Sequence, residues 1–323
     1  METHTKPLVL LVSDNVWQLD GPAIRAIAPH IEPVIYEGDQ PLSDDVLERV
    51  DIAFLSSDVW PERIRGMSVS VMKAQNLSWM QTFSAGVDSP FFQTLIERGV
   101  RLTTASGATA SPIAQTVMMY MLALGRDLRR WTHQQNNREW KQHSFVELDG
   151  SSLAVIGMGP IGEEIVRLGI AFNMSVEAIR RTPLGTELCP TFPMSELEAV
   201  LSRADWVAVA LPLSPETRQI FSGKTFAAMR QGARFINVGR GELVDEQALI
   251  ASLQSGHIAG AGLDVFEVEP LPTDNPLWAM DNVIVTPHNS GTTTSSGERT
   301  RKIFLENLQR FVSQQPLKNL VAG

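Results

Sequence analysis

The 323-residue chain is poor in several features, and each shortage narrows what it can be. A single cysteine, Cys189, excludes an intrachain disulfide, and with no His or Asp beside it the thiol reads as structural, so a reducing cytoplasm is the expected compartment. The opening METHTKPLVLLVSD holds an apolar run only from Leu8 to Val12 before Asp14 interrupts it. That is too short for a signal-peptide core or a membrane span and reads as a buried first strand. Positive charge is in deficit, with 27 Lys and Arg against 36 Asp and Glu and a net charge of -9. Such a balance repels nucleic acid and anionic membrane, and neither is an expected partner. His4, His30, His133, His143 and His257 show no metal-ligand spacing, so no metal is expected either. Internal repeats and low-complexity segments are also missing.

What is present fits a globular enzyme-sized chain. Its length suits two domains with a cleft between them. With 43% apolar and 20% charged residues, disorder and coiled coil are poor readings. Short apolar runs at Leu8 to Val12, Val34 to Tyr36, Ile52 to Leu55 and Leu77 to Phe83 alternate with mixed polar stretches, an α/β rhythm. Thr109 to Arg130 reads as one long helix, with Ile113, Val117, Tyr120, Met121 and Leu124 at helical steps. A second series follows Gly150, with strand runs at Leu153 to Ile156, Val176 to Ile179, Trp206 to Ala210, Phe235 to Val238, Ala259 to Leu263 and Val283 to Thr286. Continuous apolar strands predict a doubly wound parallel sheet covered on both faces. Ser195 with Glu198 predicts a capping box, Asp245 a helix cap and Gly256 a left-handed helix end. Ser296 to Gln314 predicts a helix that returns to the first domain.

The strand Leu153 to Ile156 runs straight into Gly157-Met158-Gly159-Pro160-Ile161-Gly162 and then a helix with Ile165, Leu168 and Ile170. In a dinucleotide fingerprint the first glycine permits the tight turn, the second admits the pyrophosphate and the third lets helix and strand pack closely. Pro160 suits a first helical position, whose neighbouring free N–H groups and positive dipole end face the diphosphate. The next strand ends in Arg180-Arg181-Thr182, with Arg180 lying 18 positions after Gly162, where an NAD enzyme usually places an acid. Two guanidinium groups and a hydroxyl there predict a 2′-phosphate and therefore NADP(H), with NAD(H) use possible if the arginines are merely solvated.

Three further segments fall at strand ends, where an open parallel sheet binds its ligands: NVGRGELVD with Arg240, GLDVFEVEP with Glu269, and TPHNSG with His288. Singly, each could be an ordinary surface side chain. Together, behind a dinucleotide fold, they form an acid and anion site. In this order the segments resemble the D-isomer-specific 2-hydroxyacid dehydrogenase family, which includes glyoxylate and hydroxypyruvate reductases. The likeness covers most of the chain and is densest from Leu148 to Gly291.

That resemblance implies an α/β fold of two domains: a Rossmann nucleotide domain over 105–291, and a flavodoxin-like substrate domain from 1–104 and 292–323. It makes Arg240, Glu269 and His288 catalytic. It makes Ser84, Ala85, Gly86 and Val87, in MQTFSAGVD, the loop whose amides hold the substrate carboxylate. Gly157, Gly159, Pro160, Ile161, Gly162, Arg180, Arg181, Thr182, Leu211, Pro212, Thr217, Val238 and Gly239 are the expected cofactor contacts. Asp264 would hydrogen-bond the nicotinamide carboxamide, or else only form the turn at its strand end. Gln115 departs from the family, many of whose members carry Glu there, and otherwise reads as a helix-surface residue. Trp140 and His133 to Asn137 resemble the family's dimer arm, so a homodimer is expected.

The chemistry predicted is reduction of a small 2-keto acid to its D-2-hydroxy acid. Arg240 would grip the carboxylate and polarise the ketone through a planar fork of donors. His288 would donate the proton, with Glu269 against its other ring nitrogen favouring the imidazolium. Two alternatives remain: a nucleotide-sensing interaction protein on the same fold, which the intact triad disfavours, and formate or phosphite oxidation. A formate enzyme, by family resemblance, has glutamine where Glu269 stands.

Overall fold

A computed structural model describes residues 7–321. The chain divides into two units, at Thr109/Ala110 and at Thr292/Thr293, the first cut falling at the start of the long helix rather than after residue 104. The first unit holds five parallel strands: β1 (Val9–Ser13), β2 (Glu32–Tyr36), β3 (Ile52–Leu55), β4 (Trp79–Thr82) and β5 (Arg101–Thr103). Their order is β2-β1-β3-β4-β5, the flavodoxin-like winding. Successive strand residues point to opposite faces, so Leu10 and Val12 enter one core while Val9 and Leu11 enter the other. Both faces being covered explains why β1 reads as an unbroken apolar run. The predicted tail helix, Ser296–Val312, packs on the first of these faces, where Phe304 stacks on Phe54 with ring centroids 4.3 Å apart. Burying that ring completely contributes roughly 1.5–3 kcal/mol.

The second unit holds β6 (Ser152–Ile156), β7 (Ser175–Ile179), β8 (Thr191–Phe192), β9 (Trp206–Val209), β10 (Ala233–Asn237), β11 (Ile258–Leu263) and β12 (Val283–Val285). The order β12-β11-β10-β9-β6-β7-β8, all parallel, is a doubly wound sheet whose direction of winding reverses at β6. Neighbours β7 and β9 leave β6 on opposite sides, which opens a crevice at the carboxyl ends of β6 and β9. Among the described residues, no helix is long and apolar enough to cross a membrane.

Two local expectations need correction. The predicted helix from Thr109 to Arg130 is two: Ala110–Gly125, then Leu128–Asn136. Asp127 separates them at φ 53, a left-handed residue whose side chain caps the second helix at Arg130. Gly125 marks the break, because Val146 donates its amide to the Gly125 carbonyl at 2.9 Å and a Cβ on Gly125 would sit 2.9 Å from the Val146 oxygen. Ser195 and Glu198 form no capping box either. Ser195 lies in the 3-10 turn Met194–Glu196, and the helix Leu197–Leu201 that follows starts too late for its hydroxyl to cap. Asp245 does cap its helix, accepting from the Ala248 amide at 3.1 Å, and Gly256 takes φ 71. The strands β5 and β8 were not anticipated, being too short to show a run.

Candidate active site

The fingerprint sits at the crevice. Gly157 turns the chain out of β6 with φ 108, and a Cβ there would lie 2.7 Å from the Ala210 carbonyl at the end of β9. Its amide donates to Ile179 at the end of β7, at 2.9 Å. Gly162 packs on Gly157, where a Cβ would fall 1.9 Å from the Gly157 oxygen, whereas Gly159 faces open space. The helix Pro160–Ala171 starts there, with Gly159 as N-cap and Pro160 and Ile161 in its first turn. The residues present thus fit a dinucleotide diphosphate: an open second glycine at a helix N-terminus. After β9, Leu211 is buried, and Thr217 closes the loop by donating to the Pro212 carbonyl at 2.9 Å and accepting from the Ser214 amide at 2.8 Å.

At the end of β7, the three polar residues differ from one another. Arg180 donates from Nη1 to Glu187 Oε1 at 3.1 Å, while Arg181 and Thr182 are exposed. Glu187 also accepts the amides of Leu184 at 2.7 Å and Thr186 at 3.1 Å. The Leu184 amide foremost, with the Arg180 guanidinium adding to it, holds the Glu187 carboxyl down at about 2. Arg181 contributes, after the Ser214 hydroxyl, to lowering Glu216.

The catalytic candidates come from the ends of β10, β11 and β12. Asn237, 1% exposed, pins the turn after β10 by accepting the Gly239 amide at 3.0 Å and donating to the Arg240 carbonyl at 2.9 Å. Val238 is buried, and the Arg240 guanidinium donates to the Gly239 carbonyl at 2.8 Å. Gly241 lets this turn press against the segment after β11, where a Cβ would meet the Phe266 carbonyl at 1.8 Å. In that segment the chain curls so that Glu269 Oε1 accepts the Phe266 amide at 3.0 Å. Its other oxygen, Oε2, lies 2.7 Å from His288 Nδ1. A carboxylate can only accept, so Nδ1 carries the hydrogen and Nε2 is the ring nitrogen left for chemistry.

Asp264 ties the two segments together. It is 1% exposed, and its carboxylate accepts the Asn289 and Ser290 amides, each at 3.0 Å, together with the hydroxyls of Thr286 and Ser290. Its backbone carbonyl takes the His288 amide at 2.8 Å, and His288 stands at φ 49. Tyr120, from the helix Ala110–Gly125, hydrogen-bonds the Thr286 hydroxyl, and burial raises its phenol above the ordinary range. Because Thr286 donates to Asp264, the Tyr120 hydroxyl is the donor to Thr286.

The NAD binding domain model of D-isomer specific 2-hydroxyacid dehydrogenases matches residues 118–290, the region that carries all of this geometry. The chain belongs to the D-isomer specific 2-hydroxyacid dehydrogenase family. It is an NAD(P)-dependent family enzyme. Glyoxylate/hydroxypyruvate reductase B of Salmonella newport is 33% identical over 308 residues, 87% of this chain and 95% of that protein. D-3-phosphoglycerate dehydrogenase of Methanocaldococcus jannaschii is 33% identical over 262 residues, 78% of this chain, which spans only 48% of that relative's length. A family structure from Xanthobacter autotrophicus Py2, in complex with NADPH and MES, has TM-score 0.79 and 31% identity over 98% of each chain.

Three members of this site escaped the sequence reading: Asn237, Ser290 and Tyr120. Tyr120 passed as one more apolar position on a helix; its hydroxyl among methionines and leucines was the available signal. In this dehydrogenase Gln115 is an exposed helix residue whose amide donates to Ser111 Oγ at 3.2 Å. Among the described residues, no cluster of His, Cys, Asp or Glu could hold a metal.

The Asp264 network predicts a separable defect. Asp264→Asn puts an N–H donor against one of the two amides it now accepts, loosens the turn under His288, and should lower kcat about 100-fold, the usual result of misplacing a catalytic group by an ångström. Cofactor affinity, read by fluorescence titration, should barely move. An equal loss in cofactor affinity would mean that Asp264 contacts the nicotinamide.

Proposed function

We propose that this enzyme reduces a small 2-keto acid of the glyoxylate or hydroxypyruvate type with NADPH, giving the D-2-hydroxy acid. The observation that carries the reading is the 2.7 Å Glu269–His288 pair, seated beside the turn that presents Arg240. The similarity to a glyoxylate/hydroxypyruvate reductase and to an NADPH complex supports the substrate class and the cofactor. NAD(H) remains the secondary cofactor in this reading.

When bound, the nicotinamide supplies the hydride to the keto carbon. Arg240 holds the substrate carboxylate and leans a second donor on the ketone oxygen, a geometry that a lysine point charge cannot match. His288 delivers its Nε2 proton to that oxygen as negative charge grows on it. Glu269, 2.7 Å from Nδ1, keeps the ring in place with Nε2 turned to the reaction. In the other direction neutral His288 takes the hydroxyl proton. The loop after β4 is closed by the Ser84 hydroxyl donating to the Gly86 carbonyl at 2.7 Å. The Ser84 amide is already held by Thr82 Oγ1 at 3.2 Å, so within that loop Ala85 and Gly86 are the amides assigned to the carboxylate. Val238, Gly239, Leu211, Pro212 and Thr217 line the cofactor in the same reading, and the lone, half-buried Cys189 is consistent with a reducing cytoplasm.

A homodimer completes the proposal. Leu122, Leu128 and Trp131 are exposed apolar side chains around a groove of about 550 Å³, and Trp140 on the nearby connection is 96% exposed. Pairing with a second copy would take these side chains out of water. Sedimentation should give a dimer for the wild type and a monomer for Leu128→Glu/Trp131→Glu; a wild-type monomer at micromolar concentration would reject it.

Steady-state assays with glyoxylate, hydroxypyruvate, pyruvate and bulkier keto acids, each with NADPH and NADH, test the activity directly. Arg240→Ala should lower kcat/KM by about three orders of magnitude, since charge stabilisation and carboxylate binding are lost together. Near-normal turnover in that variant would remove Arg240 from the mechanism.

Glu269→Gln replaces one of the two accepting oxygens by an N–H donor, so the Phe266 amide and His288 Nδ1 cannot both be satisfied and the ring loses its fixed orientation. The variant should lower kcat about 100-fold while cofactor affinity is kept. A kcat equal to the wild type would dissolve the proposed pair.

A further inference from the structure

Arg180 and Arg181 look equivalent in the sequence but are held differently. Arg180 is fixed from both sides: its amide donates to the Phe192 carbonyl of β8 at 3.0 Å, and its guanidinium donates to Glu187 at 3.1 Å. Glu187 in turn gathers the loop between β7 and β8, accepting the Leu184 and Thr186 amides. Its side chain is only 6% exposed, and that of Arg180 is 24% exposed. The preceding residue, Ile179, accepts the Gly157 amide of the fingerprint at 2.9 Å, so this loop starts beside the diphosphate turn. No hydrogen bond or ion pair within 4.0 Å engages the exposed Arg181 side chain among the described residues.

Resting on the NADP(H) reading above, we propose that Glu187 is a positioning residue for cofactor specificity: it braces the Arg180 guanidinium and folds the 182–187 loop so that a preset cation faces the 2′-phosphate. A guanidinium has five N–H donors in a rigid fork, and Glu187 occupies only one of its edges. The remaining donors are aimed before the ligand arrives, so less side-chain freedom is lost on binding. Glu187 also brings a negative charge close to the phosphate position, an opposing effect. The geometry decides between the two, because the carboxylate is turned inward onto two backbone amides, away from solvent. Bracing outweighs repulsion, and a neutral side chain that still accepts hydrogen bonds does the work of the native one. Arg181 supplies the second, unbraced cation.

The test uses the full-length enzyme with NADPH, NADH, 2′-AMP and 5′-AMP. Glu187→Ala should raise KM for NADPH and Kd for 2′-AMP about tenfold, the equivalent of one charge-assisted hydrogen bond, with kcat and the NADH and 5′-AMP constants unchanged. Glu187→Gln, which keeps an accepting oxygen, should recover most of the loss. Three results would overturn the proposal: an Ala variant within twofold of the wild type for both 2′-phosphorylated ligands, an equal loss for NADH and 5′-AMP, or a Gln variant as poor as Ala. The wild-type NADPH to NADH ratio separately judges the cofactor reading, so the two failures are told apart.

Discussion

Asp264 is 1% exposed, and a carboxylate removed from water costs several kcal/mol unless its lone pairs are filled. Four donors fill them, and all four belong to residues 286–290, the stretch that carries His288. The chain therefore satisfies Asp264 in one way only, with the turn folded over it. His288 accepts a left-handed backbone at φ 49 as part of that arrangement. For a non-glycine residue this conformation is unfavourable and persists only where surrounding bonds over-determine it. The same bonds bring Nδ1 to Glu269, which is itself tied to the Phe266 amide three residues upstream. The His288 ring, on an exposed loop, is thus held through its backbone amide and through Nδ1.

The sheet explains why these groups meet at all. In the second unit the winding reverses at β6, and the loops after β6 and β9 have to part around a crevice. Backbone there runs close enough that Gly157 tolerates no side chain against Ala210. The turns after β10, β11 and β12 then stack along the same rim, with Gly241 seated on the Phe266 carbonyl. Arg240, Glu269 and His288 need no special fold beyond this one. Three successive parallel strands end on one edge, and each contributes one side chain.

Much of this was legible in the sequence because it depends on local chemistry. Continuous apolar runs gave the buried strands, and glycines at set spacing after a strand gave the diphosphate turn. Arg240, Glu269 and His288 were singled out because Arg, Glu and His recur at strand ends in a family order. What remained hidden depends on distant partners. Asp264 reads as a cofactor ligand or a turn former, and the four donors it gathers from residues 286–290 show in no spacing or period. Tyr120 is far from Thr286 in the chain, and no periodicity announces a hydrogen bond between them. The break at Asp127 was overlooked because Leu128 and Trp131 prolong the helical pattern past Gly125, and only the approach of Val146 requires the interruption.

The cofactor end shows the limit of counting charges. Two arginines after β7 suggest a doubly cationic pocket, yet the Glu187 carboxylate lies 3.1 Å from the guanidinium of the first. In a chain of net charge -9, selectivity for a phosphate cannot come from the overall field, which opposes it. It has to come from donors at fixed positions, whose hydrogen bonds act over a few ångströms and are screened little by salt. A buried carboxylate beside the arginine proposed for the 2′-phosphate is then no contradiction. Turned inward onto backbone amides, it makes the guanidinium directional, and direction is what distinguishes a 2′-phosphate from a 2′-hydroxyl.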